Sequence, residues 1–198
     1  MQALTFNLPQ HISLYVSPSE FAAIAYVNRD LRLERTSDGE LILNPPTGDD
    51  TGRRNANLIA DLVIWSRQYG GVCYDSSTGF QLPNGAIRSP DAAWIEQSRY
   101  EALSNHDGFV PLAPDFVVEL PPSGGDVRGG SDRLRLLQDK MREYLANGSR
   151  LGWLIDPQTQ CVEIYRQNQE VEVLTQPDRL SGEQVLPNFT LNLAWIFQ

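Results

Sequence analysis

Apolar residues along this chain recur with a helical period in some stretches and a strand period in others, and turn residues separate the two. Ser17-Pro18-Ser19-Glu20 is a capping box with proline at the first helical position. Phe21, Ile24 and Ala25 follow at helical spacing, which predicts a first helix ending near Asn28. Leu31–Thr36 and Glu40–Leu43 flank Ser37-Asp38-Gly39 as a hairpin, and Asn44–Gly52, with two prolines and two glycines, is a loop. Leu58, Ile59, Leu62 and Val63 form the apolar stripe of a second helix, from about Arg53 to Tyr69, which Gly70-Gly71 stop.

Strand patterns follow at Val72–Tyr74, at Gly79–Leu82, and, past a Pro83-Asn84-Gly85 turn, over Ala86–Ile95. After a short helix around Arg99–Ser104, Asp115–Leu120 has the apolar run of a buried strand. Pro121–Gly130 reads as a flexible, glycine-rich loop. A third helix is expected from a cap at Ser131 or Asp132 to Asn147-Gly148, a good left-handed stop. Leu151–Ile155 and Cys161–Arg166 pair across Asp156-Pro157, Glu170–Thr175 adds a strand, and Leu186–Phe197 is the last apolar stretch. With no repeat, low-complexity segment or linker, the pattern predicts one mixed α/β domain over residues 1–198, rich in antiparallel pairing.

Composition changes this picture little. The 198 residues are 41% hydrophobic and 9% aromatic, enough for a sizeable core. The longest unbroken apolar run, Phe21–Val27, is far short of the roughly 18–20 residues that cross a bilayer, so no membrane partner is expected. Residues 1–10 lack the basic and apolar regions of a secretory signal, and two cysteines, Cys73 and Cys161, are too few for a disulfide framework. A reducing cytoplasm is the expected location. Charge says more. A net charge of -9 gives no long-range attraction to polyphosphate, so any nucleic-acid role needs a local basic face. Six bases (Arg128, Arg133, Arg135, Lys140, Arg142, Arg150) against four acids between Asp126 and Arg150 make a modest one, and Lys140 is the only lysine in the chain.

Two acids stand at strand ends: Asp91 opens one strand after Ser89-Pro90, and Glu119 nearly closes another. If these strands pair antiparallel, both carboxylates meet at one end of the sheet, where a hard divalent ion such as Mg²⁺ or Mn²⁺ is their simplest partner. The plainer alternative makes Asp91 a turn cap and Glu119 a strand-end charge, although a charge within that apolar run needs solvent, a partner or a metal. On the third helix, Leu134, Leu137, Met141 and Leu145 form the core stripe. Leu136, Lys140 and Tyr144 form a neighbouring row, so Lys140 either reaches the strand end or snorkels to pair with Glu143 or Asp139. His11, His106, Ser76-Ser77 and Ser123 fit no metal or nucleophile arrangement, and Gly124-Gly125 and Gly129-Gly130 match no phosphate loop. Arg53-Arg54-Asn55 at the start of the second helix could touch phosphate, but a basic pair there is usually just solvated, and Trp65, Trp94, Trp153 and Trp195 read as core.

An acid after proline, a second acid ending an apolar strand and a nearby lysine resemble the signature of the PD-(D/E)XK nuclease superfamily. The segments Leu31–Glu40, Pro46–Gly48, Asp75–Phe80, Leu82–Asp91, Pro114–Leu120, Ser131–Leu134, Gln138–Tyr144, Asn147-Gly148 and Leu151–Pro157 follow in order. Together they resemble the Uma family of restriction-endonuclease-like proteins, over about Ser17 to Phe197. The resemblance implies a restriction-endonuclease-like core, a mostly antiparallel mixed sheet flanked by helices, with one acidic Mg²⁺ or Mn²⁺ site. Asp91 and Glu119 match its metal-binding acids. Lys140 matches a lysine moved onto the following helix, since Pro121 holds the usual lysine position two after Glu119. Glu34 matches a family glutamate near the site, whereas alternation with Leu33 alone has it facing solvent. The expected function is metal-dependent hydrolysis of phosphodiester bonds in DNA, with a homodimer as a possible assembly. The alternative is a catalytically silent domain of the same fold acting as a binding or structural subunit.

Overall fold

The computed structural model describes residues 13–104, 108–121 and 130–198, with side chains from residue 133 onward in the last segment. His11, His106, Ser123, Arg128, Gly124-Gly125 and Gly129 lie outside the described residues, as do the other members of the predicted 121–130 loop from 122 to 129. The elements in chain order are α1 (Pro18–Val27), β1 (Arg32–Arg35), β2 (Leu41–Asn44), α2 (Asp49–Tyr69), β3 (Val72–Asp75), β4 (Phe80–Gln81), β5 (Ile87–Arg88), β6 (Ala92–Ile95), α3 (Gln97–Glu101), β7 (Phe116–Glu119), α4 (Gly130–Ala146), β8 (Leu151–Asp156), β9 (Cys161–Arg166), β10 (Glu172–Thr175), β11 (Arg179–Ser181), β12 (Thr190–Asn192) and α5 (Ala194–Phe197).

A six-stranded sheet in the order β10-β9-β8-β7-β6-β3 forms the centre. All its pairings are antiparallel except β7 with β8, which run parallel because α4 lies between them as the crossover that a parallel pair requires. Strand alternation divides the core between two faces. Ala92 and Trp94 of β6, Phe116 and Val118 of β7, and Leu151, Trp153 and Ile155 of β8 pack with Leu58, Leu62 and Trp65 of α2. Ala93, Ile95, Val117 and Leu154 point the other way, toward Met141 and Tyr144 of α4. A second sheet, β2-β1-β5-β4, is antiparallel throughout, and β11 pairs with β12.

Several predicted boundaries hold. Ser17 and Glu20 form the reciprocal capping box, and α1 ends with Asn28 as its cap. Gly148, at φ +114°, follows the end of α4. At Gly71 the backbone takes φ +82° and the Trp94 indole occupies the space a Cβ would need, so glycine is required twice over. Other boundaries move. The second helix begins four residues before Arg53, because Gly48 starts it and Asp49 and Asp50 suit its positive first turn. The short helix spans 97–101 rather than 99–104. The predicted strand Ala86–Ile95 is two strands: Ser89-Pro90 interrupts it, sending β5 into the second sheet and β6 into the central one. Trp65, Trp94 and Trp153 are core residues, but Trp195, in the four-residue helix α5, is 57% exposed. Arg54 is buried, not solvated, and Arg53 donates to the carbonyl of Gln198 at 2.5 Å.

Candidate active site

The antiparallel register of β6 and β7 sets Ala92 against Val118, so Asp91, one residue before Ala92, and Glu119, one residue after Val118, fall opposite one another. Alternation points both toward the face covered by α4, because Ala93 and Val117 face that helix. Both carboxylates are buried, Glu119 at 4% exposure and Asp91 at 7%. Backbone and helix hold Asp91: the amide N–H of Leu120 donates to Oδ2 at 2.8 Å, and Asn55 Nδ2 of α2 donates to Oδ1 at 3.2 Å.

Lys140 enters from α4. Its Nζ lies 2.8 Å from Glu119 Oε1 and 2.8 Å from Glu34 Oε1, and it donates to the Ser89 carbonyl at 3.3 Å. Tyr144, one turn further along α4, donates its hydroxyl to the same Glu119 oxygen at 3.2 Å. Glu34 comes from β1 and is 3% exposed, so the solvent-facing reading of its alternation with Leu33 is wrong. The second sheet turns that face of β1 toward α4, where Glu34 meets both Lys140 and, at 3.4 Å, Arg88 NH1 of β5. Arg88 in turn binds Glu143 through Nε at 2.5 Å. Lys140 therefore pairs with neither Glu143 nor Asp139; Asp139 pairs with Arg142 on the exposed side of α4.

Electrostatics at this end of the sheet follow from crowding acids in a dry place. Burial pushes Glu119 up to about 7; Lys140 opposes the rise, and the nearby Asp91 and Glu34 charges add to it. Burial also raises Asp91, against the lowering effects of the Leu120 N–H, Lys140, Arg32 and Asn55. Burial alone would lower Lys140, but Glu119 and Glu34 outweigh it and carry its pKa above the ordinary lysine value. The ammonium therefore keeps its proton at neutral pH.

Asp91, Glu119 and Glu34 stand with three cations, Arg32, Arg88 and Lys140. Hard carboxylate oxygens suit a divalent cation, and Asp91 and Glu119, opposite one another, are the pair that could hold one. Among the described residues no group of three or more His, Cys, Asp or Glu could hold a metal ion. Of the four residues singled out from the sequence, the structure brings all four together. Sequence reasoning missed Arg32 and Arg88 as their neighbours; it named Asn55 only as a candidate phosphate contact at the start of the second helix, and Glu143 only as a partner for Lys140. Arg88 had a usable signal in the Ser89-Pro90 break.

A cavity of about 510 Å³ lies elsewhere, lined by Trp65, Tyr69, Trp94, Gln97 and Arg150 among others, at the opposite end of the β6–β7 pair. It contains none of the four candidate residues. No described helix is long and apolar enough to cross a membrane.

Comparisons with known proteins bear on this geometry. The chain is similar to a crystal structure titled a "putative nuclease belonging to DUF820" from Anabaena variabilis ATCC 29413. The TM-score is 0.68 at 20% identity, covering 83% of this chain and 89% of that one, a likeness of fold. No curated protein matches the chain. The model of the family Uma2, described as "Putative restriction endonuclease", matches residues 18–194, nearly the whole length, and the chain therefore belongs to the Uma2 family.

Proposed function

We propose that this protein is a divalent-metal-dependent endonuclease that hydrolyses phosphodiester bonds in DNA, with Asp91 and Glu119 holding Mg²⁺ or Mn²⁺. The observation that carries the reading is the placement of the Lys140 ammonium, 2.8 Å from Glu119 and 2.8 Å from Glu34, at the sheet end where Asp91 also lies. Membership of a family described as restriction endonucleases supports it, as does the nuclease-type fold. The bound ion supplies charge neutralisation and Lewis acidity at the scissile phosphate.

The chain's own residues do the rest. Lys140 stays protonated, so it acts as a fixed positive charge beside the phosphorane-like transition state rather than as a base. Glu34, which also meets Arg88, holds the ammonium together with Glu119, and we assign Lys140 the catalytic role and Glu34 a positioning one. Tyr144 fixes the orientation of Glu119 by occupying Oε1. The peptide N–H of Leu120 does the same for Asp91 through Oδ2.

A second reading has one observation in its favour. Lys140 already pairs with two acids, so a catalytically silent domain could keep this network for stability alone. Calorimetric titration with Mn²⁺ alongside plasmid nicking, on wild type and Asp91→Ala, separates the two. The nuclease reading expects metal-dependent nicking and Mn²⁺ binding, both lost in the variant. No Mn²⁺ binding by wild type, or binding that Asp91→Ala leaves untouched, would reject it in favour of the silent domain.

A further inference from the structure

The cations around the acid cluster are not equally occupied. Arg35, on β1, gives its guanidinium to backbone carbonyls: Nε to Val16 at 2.8 Å, and NH1 to Thr36 at 3.2 Å and Gly85 at 2.9 Å. Arg88 is held by Glu143 and Glu34, and Lys140 by Glu34, Glu119 and the Ser89 carbonyl. Arg32 differs. It shares a face of β1 with Glu34, two residues on, and so points toward the same cluster. Its ion-pair contact is NH2 to Asp91 Oδ1 at 3.8 Å, too long for a hydrogen bond. Its Nε is buried with no hydrogen-bond partner among the described residues. The side chain is also 27% exposed, against 11% for Lys140 and for Arg88, so a ligand from solvent can reach it.

A second unmatched atom belongs to another neighbour of Asp91. Asn55 gives its amide N–H to Asp91 Oδ1, and its own Oδ1 is buried without a donor among the described residues. Asp91 is thus flanked by a spare donor on Arg32 and a spare acceptor on Asn55. Unpaired buried polar groups are costly, and native structures keep them where a ligand or water completes them. A hydrated phosphodiester completes both, with an anionic oxygen for the guanidinium and a water hydrogen for the amide carbonyl. The planar fork of arginine suits a phosphate's paired oxygens better than a lysine point charge does.

We propose that Arg32 is a substrate-binding residue that grips the two non-bridging oxygens of a DNA phosphodiester on the Asp91 side of the site. This rests on the nuclease reading for the identity of the substrate, but not for the existence of the anion site. The test is a ¹⁵N–¹H spectrum of the arginine Nε–Hε groups, with the Arg32 signal identified by its loss in Arg32→Lys. Dimethyl phosphate should shift that signal to saturation, and acetate at equal concentration should not. An equal shift with acetate would overturn the phosphodiester assignment, and no shift with either would overturn the anion site.

A second arm uses a labelled duplex oligonucleotide in Ca²⁺, read by anisotropy. Arg32→Lys should weaken its binding by about tenfold, as expected for loss of a bidentate charge-assisted contact, while Mn²⁺ affinity stays within about twofold. Parallel losses of DNA and Mn²⁺ binding would instead make Arg32 a support for Asp91 and overturn the proposal, as would unchanged DNA affinity. A wild type that neither binds nor nicks DNA yet shows the dimethyl phosphate shift would reject the nuclease reading alone.

Discussion

The two ends of the β6–β7 pair each bury a carboxylate, and they treat it in opposite ways. At one end Asp115, just before β7, is fully buried, accepts the Glu96 N–H on Oδ2 at 2.9 Å, and faces two arginines, Arg99 at 2.8 Å and Arg150 at 3.6 Å. Cations there match or outnumber the acid, and both arginines reach solvent. At the other end Asp91, Glu119 and Glu34 are all buried around one ammonium, with Arg32 and Arg88 at the margins. Burial raises Asp91 and Glu119 there, and the Asp91 and Glu34 charges raise Glu119 further. Asp115, one buried acid facing two arginines, anchors a strand and a loop. The other end gathers three buried acids whose charged forms burial disfavours, a cost that a bound cation would relieve, so one sheet carries a fastening at one end and a candidate site at the other.

Substitution at the acid-rich end should give the largest effect. Glu119→Ala is expected to lower plasmid nicking by at least about 10²–10³-fold, the scale of losing one preorganised charge at a reacting centre, while thermal unfolding moves little. A variant that nicks at the wild-type rate would erase the distinction between the ends. At the fastening end the pattern should invert. Asp115→Ala removes an acceptor from the Glu96 N–H and a partner from two arginines that can turn to water. It should cost about 2 kcal/mol, or roughly 4–8 °C in Tm, with nicking at permissive temperature unchanged.

A smaller signal comes from pH. The folded-state pKa of Glu119 is raised from the ordinary 4.5 to about 7, so its contribution to stability is complete below about 4.5 and is lost as pH rises through about 7. Tm of the wild type should therefore fall by a few degrees relative to Glu119→Gln between pH 5 and 7.5. A rising difference would mean that Lys140 outweighs burial at this carboxylate.

Much of this was legible in the chain before its fold. Ser89-Pro90-Asp91 and the apolar strand ending at Glu119 announce two acids at one sheet end, because antiparallel pairing and strand alternation are local rules. Lys140 was legible as a flank of the α4 core stripe. Glu34 was not readable from periodicity, since its burial comes from α4 covering its face of β1, a contact 106 residues apart. Arg88 was hidden by treating Ala86–Ile95 as one strand, although Pro90 cannot donate in a continuous ladder. Trp195 was misplaced for a simpler reason: an apolar stretch at a chain end need not bury every member, and here Ile196 is the buried one.

Glu143 gives the finest comparison, because it touches neither Glu119 nor Asp91 and acts only along a chain of charges. It holds Arg88 through Oε2 and Asn84 through Oε1 at 2.9 Å, and Arg88 in turn reaches Glu34 at 3.4 Å. Neutralising it frees Arg88 to close on Glu34, which then shares its charge between a guanidinium and the Lys140 ammonium. The hold on Lys140 weakens, but Asp91 and Glu119 keep their partners. Glu143→Gln should therefore lower the nicking rate by about two- to fivefold, the scale of one partly screened ion pair, with Mn²⁺ affinity unchanged. The glutamine keeps the Asn84 contact, so Tm should move by little. A loss of Mn²⁺ binding in this variant would mean that Glu34 itself ligates the ion, and the acid-rich end would then be a three-carboxylate site rather than a pair of ligands with a braced lysine.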